Sequence, residues 1–69
     1  MKRVPVQSSS VSELGYDPDT MTLEVSFRKG DVYRYFDVPQ VLYDELIHSD
    51  SVGKFLNSHI KNYYHYTRL

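Results

Sequence analysis

The chain has 69 residues, 41% of them apolar and 25% charged, and its nine acidic and eight basic side chains leave a net charge of −1. Such a composition belongs to one small folded domain, able to bury only ~60% of the surface its unfolded form exposes. The absence of cysteine excludes disulfides and thiolate metal sites and fits a reducing cytoplasm. No apolar run approaches the ~18 residues of a membrane span, and the Met-Lys-Arg start has no hydrophobic segment behind it to direct export.

The charge is polarised along the chain. Residues 1–12 carry Lys2 and Arg3 and no acid, residues 13–50 carry all nine acids, and residues 51–69 carry Lys54, Lys61 and Arg68 with no acid. Two arrangements answer to this pattern. Either the basic ends neutralise the acidic middle, or they converge into a cationic patch for an anionic partner.

Residues 1–10, with Pro5 and Ser8-Ser9-Ser10, read as an N-terminal arm leading into a single domain over 11–69. Glu13-Leu14-Gly15-Tyr16 predicts a short first strand, with Gly15 marking a bulge or a close backbone approach. Asp17-Pro18-Asp19-Thr20 is a turn in which the aspartate bonds back to the backbone and the proline presets φ. Met21, Leu23, Val25 and Phe27 then alternate with polar residues, the pattern of a half-buried strand.

A three-residue loop, Arg28-Lys29-Gly30, suits a type I turn closed by a glycine of positive φ. It predicts a hairpin of 21–28 and 31–37 with Val25 opposite Tyr33, Leu23 opposite Tyr35, and Glu24 paired with Arg34 on the other face. Tyr33 and Tyr35 then point to the core, and Arg34 points outward.

Pro39 suits a first helical position, opening a helix to about Ser49 with Leu42, Tyr43, Leu46 and Ile47 as its stripe. Ser49-Asp50-Ser51 ends it and offers oxygens to cap a second helix. In that helix Val52, Phe55, Leu56, His59, Ile60 and Tyr63 share one face, which places His59 in the core or at its boundary. From Asn62 onward the helical pattern stops, and the tail is expected to lie back over the domain. The fold class is therefore α+β: a small antiparallel sheet of about three strands followed by two helices on one face.

Catalytic chemistry finds little support. His48 lies near Asp44, Asp50, Ser49 and Ser51, but such neighbours at a helix end ordinarily serve as caps. No histidine pair has the i, i+4 spacing of a helical metal site, and the isolated glycines make no phosphate loop. The expectation is a non-enzymatic chain with no cofactor, no metal and no membrane contact.

What remains is the basic, aromatic final third. Lys54, Lys61 and Arg68 are interleaved with Tyr63, Tyr64, His65 and Tyr66, the mixture that binds single-stranded nucleic acid by pairing cations with phosphates and rings with bases. Against this stand the sequence pI of about 6.2 and a simpler account in which Tyr63 and Tyr66 cover the sheet while the lysines solvate a helix.

Gly15-Tyr16-Asp17, Gly30-Asp31-Val32-Tyr33-Arg34-Tyr35, Val38-Pro39 and Ser51-Val52-Gly53-Lys54-Phe55-Leu56-Asn57, with Ser8-Ser9-Ser10 ahead of them, resemble the KTSC domain from about Ser8 to Arg68. That domain is a short module found at the C-terminus of some lysyl-tRNA synthetases and as free-standing proteins of bacteria and phages. The resemblance implies a module for which RNA binding has been suggested through that association, and it assigns no catalytic residues. RNA is thus the leading partner, with Arg34, Lys54, Lys61, Tyr64 and Arg68 as expected contacts. The alternative is a protein-interaction module, homodimeric through a strand edge or the tyrosine-rich tail, or a small regulator using its acidic middle.

Overall fold

A computed structural model describes all 69 residues. Five strands form one antiparallel sheet in sequence order: β1 (Arg3–Pro5), β2 (Val11–Asp17), β3 (Thr22–Phe27), β4 (Val32–Tyr35) and β5 (Tyr66–Arg68). The helices α1 (Gln40–Ile47) and α2 (Val52–His59) lie between β4 and β5 in the chain and pack on one face. The α+β class is as expected; the sheet has five strands rather than three.

The two additional strands are the edges. The N-terminal arm contributes β1, which pairs Arg3 with Gly15 and Pro5 with Glu13. The tail contributes β5, which pairs Tyr33 with Arg68 and Tyr35 with Tyr66.

The central hairpin follows the expected register. Leu23 faces Tyr35, Val25 faces Tyr33 and Glu24 faces Arg34. The Phe27 amide donates to the Asp31 carbonyl at 2.8 Å, and Gly30 closes the loop at φ +109°. Few residues with a side chain adopt that φ, so glycine here sets the register of the whole hairpin.

Gly15 is a close approach rather than a bulge. A Cβ there would meet the Met1 side chain at 3.2 Å and Arg3 Cγ at 3.3 Å, so its absence lets the N-terminus cross the sheet. The bulge lies earlier in the strand, between Val11 and Glu13. Met21 belongs to the turn instead of the strand: its φ is +53° and it is exposed.

Ten apolar residues are fully buried, drawn from β2 (Val11, Leu14), β3 (Leu23, Val25), Tyr35, Val38, α1 (Leu46) and α2 (Val52, Leu56) with Ile60. Pro39 caps α1 from an extended backbone, ψ 147°, one residue outside the expected position. Ser51 caps α2 as expected, its Oγ accepting from the Lys54 amide. The stripe of α2 is narrower than its spacing suggests. His59 is exposed and packs on Phe55, with ring centroids 4.5 Å apart, and Tyr63 projects into solvent. No helix is long and apolar enough to cross a membrane.

Candidate nucleic-acid interface

The five expected contact residues do not form one group. Arg34 lies on the helix-free face of the sheet, where its Nε donates to Glu24 Oε2 at 2.8 Å. Arg3 reaches the same carboxylate from β1, and Glu24 is only 4% exposed. Both arginines hold the Glu24 carboxyl below the usual carboxylate range, the hydrogen bond from Arg34 contributing most and burial opposing it. Tyr64 is half-buried against the core beside Leu42, His59 and Tyr63, so the tyrosine that covers the domain is Tyr64 and the free one is Tyr63.

Lys54 and Lys61 lie elsewhere, at the first and third of a run of three hollows, and Arg68 reaches the third only through its bond to Asp31. The first, of about 420 Å³, is bounded by Ser8, Ser9 and Ser10 on one side and by Asp50, Ser51, Lys54 and Asn57 around the start of α2 on the other. The second, of about 250 Å³, shares Ser9 and Ser10 with the first and adds Phe27, Arg28 and Lys29 of the hairpin tip. The third, of about 110 Å³, shares Phe27 and Lys29 with the second and adds Asp31, Tyr33, Tyr35 and Lys61. Shared walls make the three one continuous track.

Hydrogen bonds fix that continuity. Arg28 donates from Nε to the Ser8 carbonyl at 2.6 Å and from its amide to the Ser10 carbonyl at 2.9 Å, tying the serine segment to the hairpin. The lack of a Cβ on Gly53 brings α2 against Ser10 from the other side; a Cβ there would stand 3.0 Å from Ser10 Oγ.

Aromatic rings pave the far end. Phe27 and Tyr33 meet edge to face at 5.5 Å, and Tyr33 stacks with Tyr66 of β5 at 5.4 Å and 24°. Tyr35 is buried, Tyr33 half-buried and Tyr66 open to solvent, so the tyrosines of the hairpin and tail grade from core to surface.

The question of the basic ends resolves by residue. Arg3 pairs with Glu24 and Glu13, and Arg68 pairs with Asp31 at 2.6 Å, so the arginines neutralise the acidic middle. None of the lysines makes an ion pair, and Lys54 and Lys61 of the basic C-terminal end, with Lys29 of the hairpin tip, remain available along the track. Sequence reading missed Lys29, Phe27 and Asn57; the position of Lys29 beside the turn glycine is the one signal that marked it as exposed.

His48 Nδ1 lies 2.8 Å from the Asp44 carbonyl in the last turn of α1, and no three His, Asp or Glu side chains gather to hold a metal ion.

The family model of the KTSC domain matches residues 7–64. Over the full chain the sequence is 46% identical to an uncharacterised protein of Stutzerimonas stutzeri, 99% of which is covered. A lysine–tRNA ligase of Nostoc is 33% identical over 63 residues, 91% of this chain but only 11% of that enzyme. The crystal structure of a KTSC domain protein from Yersinia pestis superposes with a TM-score of 0.94 at 35% identity, covering 99% of this chain and 96% of that one.

Proposed function

This chain belongs to the KTSC domain family, and we propose that it is a small, non-enzymatic cytoplasmic module that binds single-stranded RNA. The observation that carries the reading is the continuity of the track, on which unpaired lysines alternate with rings and hydroxyls. Ammonium groups neutralise phosphates and release counterions, while each stacked base adds ~1–3 kcal/mol. Unpaired bases are the form in which RNA offers its faces to aromatic side chains.

The choice of RNA as the nucleic acid leans on the relatives. Chains named lysine–tRNA ligase, whose substrate is an RNA, carry a segment similar to this one. That support is by association. With three unpaired lysines, binding is expected to be moderate in strength and strongly weakened by salt.

The test is a titration of the labelled chain with mixed-sequence single-stranded RNA at low salt, with single-stranded DNA in parallel. Amide shifts are expected at Phe27, Lys29, Tyr33, Lys54 and Lys61, fading as salt rises. An unchanged spectrum rejects the reading, and equal response to DNA rejects its RNA preference. Self-association is the second reading, favoured by the unpaired outer sides of β1 and β5. It predicts an elution volume and a melting temperature that depend on concentration.

A further inference from the structure

We infer that the aromatic hollow beside Asp31 reads a base, and that the base it fits is an unpaired guanine; this rests on the RNA reading above. Two carboxylates border the track, Asp50 at the first hollow and Asp31 at the third, and only Asp31 stands beside aromatic walls. A carboxylate there lowers the attraction for every strand; beyond its ion pair with Arg68, what Asp31 can add to binding is discrimination between strands.

The lining supplies the means. Phe27 and Tyr33 stand at 81° to one another as two walls, and Asp31 is the only acid lining this hollow, which Lys29 and Lys61 also border. Arg68 Nη2 donates to Asp31 Oδ1 at 2.6 Å and holds the carboxylate in place, while Oδ2 takes no hydrogen bond from the protein. A carboxylate only accepts, and an ammonium only donates.

The pairing edge of guanine presents N1–H and the N2 amino group side by side, with the O6 acceptor next to them. Two adjacent donors match the two acceptor oxygens of Asp31, and O6 matches the ammonium of a flanking lysine. Adenine and cytosine offer the carboxylate one amino group each. Uracil offers a single N–H between two carbonyls, which the carboxylate repels. The expected order is guanine first and uracil last.

Fluorescence anisotropy with oligouridine, and with the same oligomer carrying one central guanine, tests this. The guanine oligomer is expected to bind about tenfold more tightly, the scale of one two-point base contact. Asp31→Asn should abolish the difference while binding oligouridine at least as well, because a negative charge has left the track. Equal binding of the two oligomers by the wild-type chain overturns the guanine subsite and leaves the RNA reading standing, whereas binding of neither removes both. Should Asp31→Asn fail to fold, wild-type chemical shifts decide: the guanine oligomer must move Asp31 and Tyr33 more than oligouridine does, and equal shifts overturn the subsite.

Discussion

Arg3 and Glu24, 21 residues apart in sequence, meet at 2.6 Å on the face of the sheet that no helix covers. Their strands are not neighbours. β2 runs between them, and it does so at Gly15, the residue whose missing Cβ lets the arginine cross. One row of the sheet, Arg3–Gly15–Glu24–Arg34–Thr67, thus joins all five strands and places a carboxylate between two guanidiniums.

That row makes stability depend on acid. The arginines hold the folded-state pKa of Glu24 below its unfolded value, so the stabilisation is complete above the ordinary glutamate range near ~4.3. It is lost as pH falls through the lower, folded value. Glu24→Gln should lower stability at neutral pH by ~2 kcal/mol, less than a fully buried pair because the arginines are partly exposed. Thermal melts between about pH 3 and 7 should show a shallower acid slope for the variant. Parallel curves would mean that other carboxylates govern acid unfolding.

Gly30 carries a separate cost. At φ +109° with nothing within 4 Å of an added Cβ, Gly30→Ala meets no clash, only backbone strain. A loss of ~1–2 kcal/mol is expected in denaturant titration, with the Val25–Tyr33 pairing retained. A neutral result would show that the loop relaxes to another turn.

The hairpin was legible because local chemistry determined it. Alternation from Leu23 to Phe27 named the buried face, and one glycine set the register. The edge strands were not legible, since neither has a local pattern. β1 contains Pro5, and β5 is three residues paired only with β4, its ends held by bonds from the Phe36 and Leu69 amides to the His65 and Val32 carbonyls. The same limit misplaced the aromatic tail. Helical spacing extends past Ile60, where the helix ends, and so puts Tyr63 in the core stripe in place of Tyr64, while His59, still on the helix, packs on Phe55 at the exposed edge of that stripe. Charge alone found Lys54 and Lys61. That Lys29 and Tyr33 join Lys61 in one hollow depends on how α2 returns to the hairpin, which no local pattern encodes.

Tyr33 and Tyr35 should separate cleanly by their effects. Tyr35 is 1% exposed, and Tyr35→Ala is expected to cost ~3–5 kcal/mol. Tyr33 is half-buried between Phe27 and Tyr66, so Tyr33→Ala should cost about half as much. The same variant should weaken RNA binding by the ~1–3 kcal/mol of one lost stacking contact. A folded Tyr33→Ala chain with undiminished affinity would remove the ring from the interface.

The two faces of the sheet give the sharpest test of where RNA binds. Lys54→Gln and Lys61→Gln each remove a cation that no acid partners, so each should reduce affinity and lower the slope of log K against log salt by about 1. Arg34→Gln removes a cation already committed to Glu24 on the opposite face, so it should lower the melting temperature and leave the salt slope unchanged. Both quantities come from anisotropy titrations at several salt concentrations, with circular dichroism to confirm folding. Should Arg34→Gln reduce the slope as much as Lys61→Gln does, the binding surface is the helix-free face. The serine-to-tyrosine track would then have no part in it.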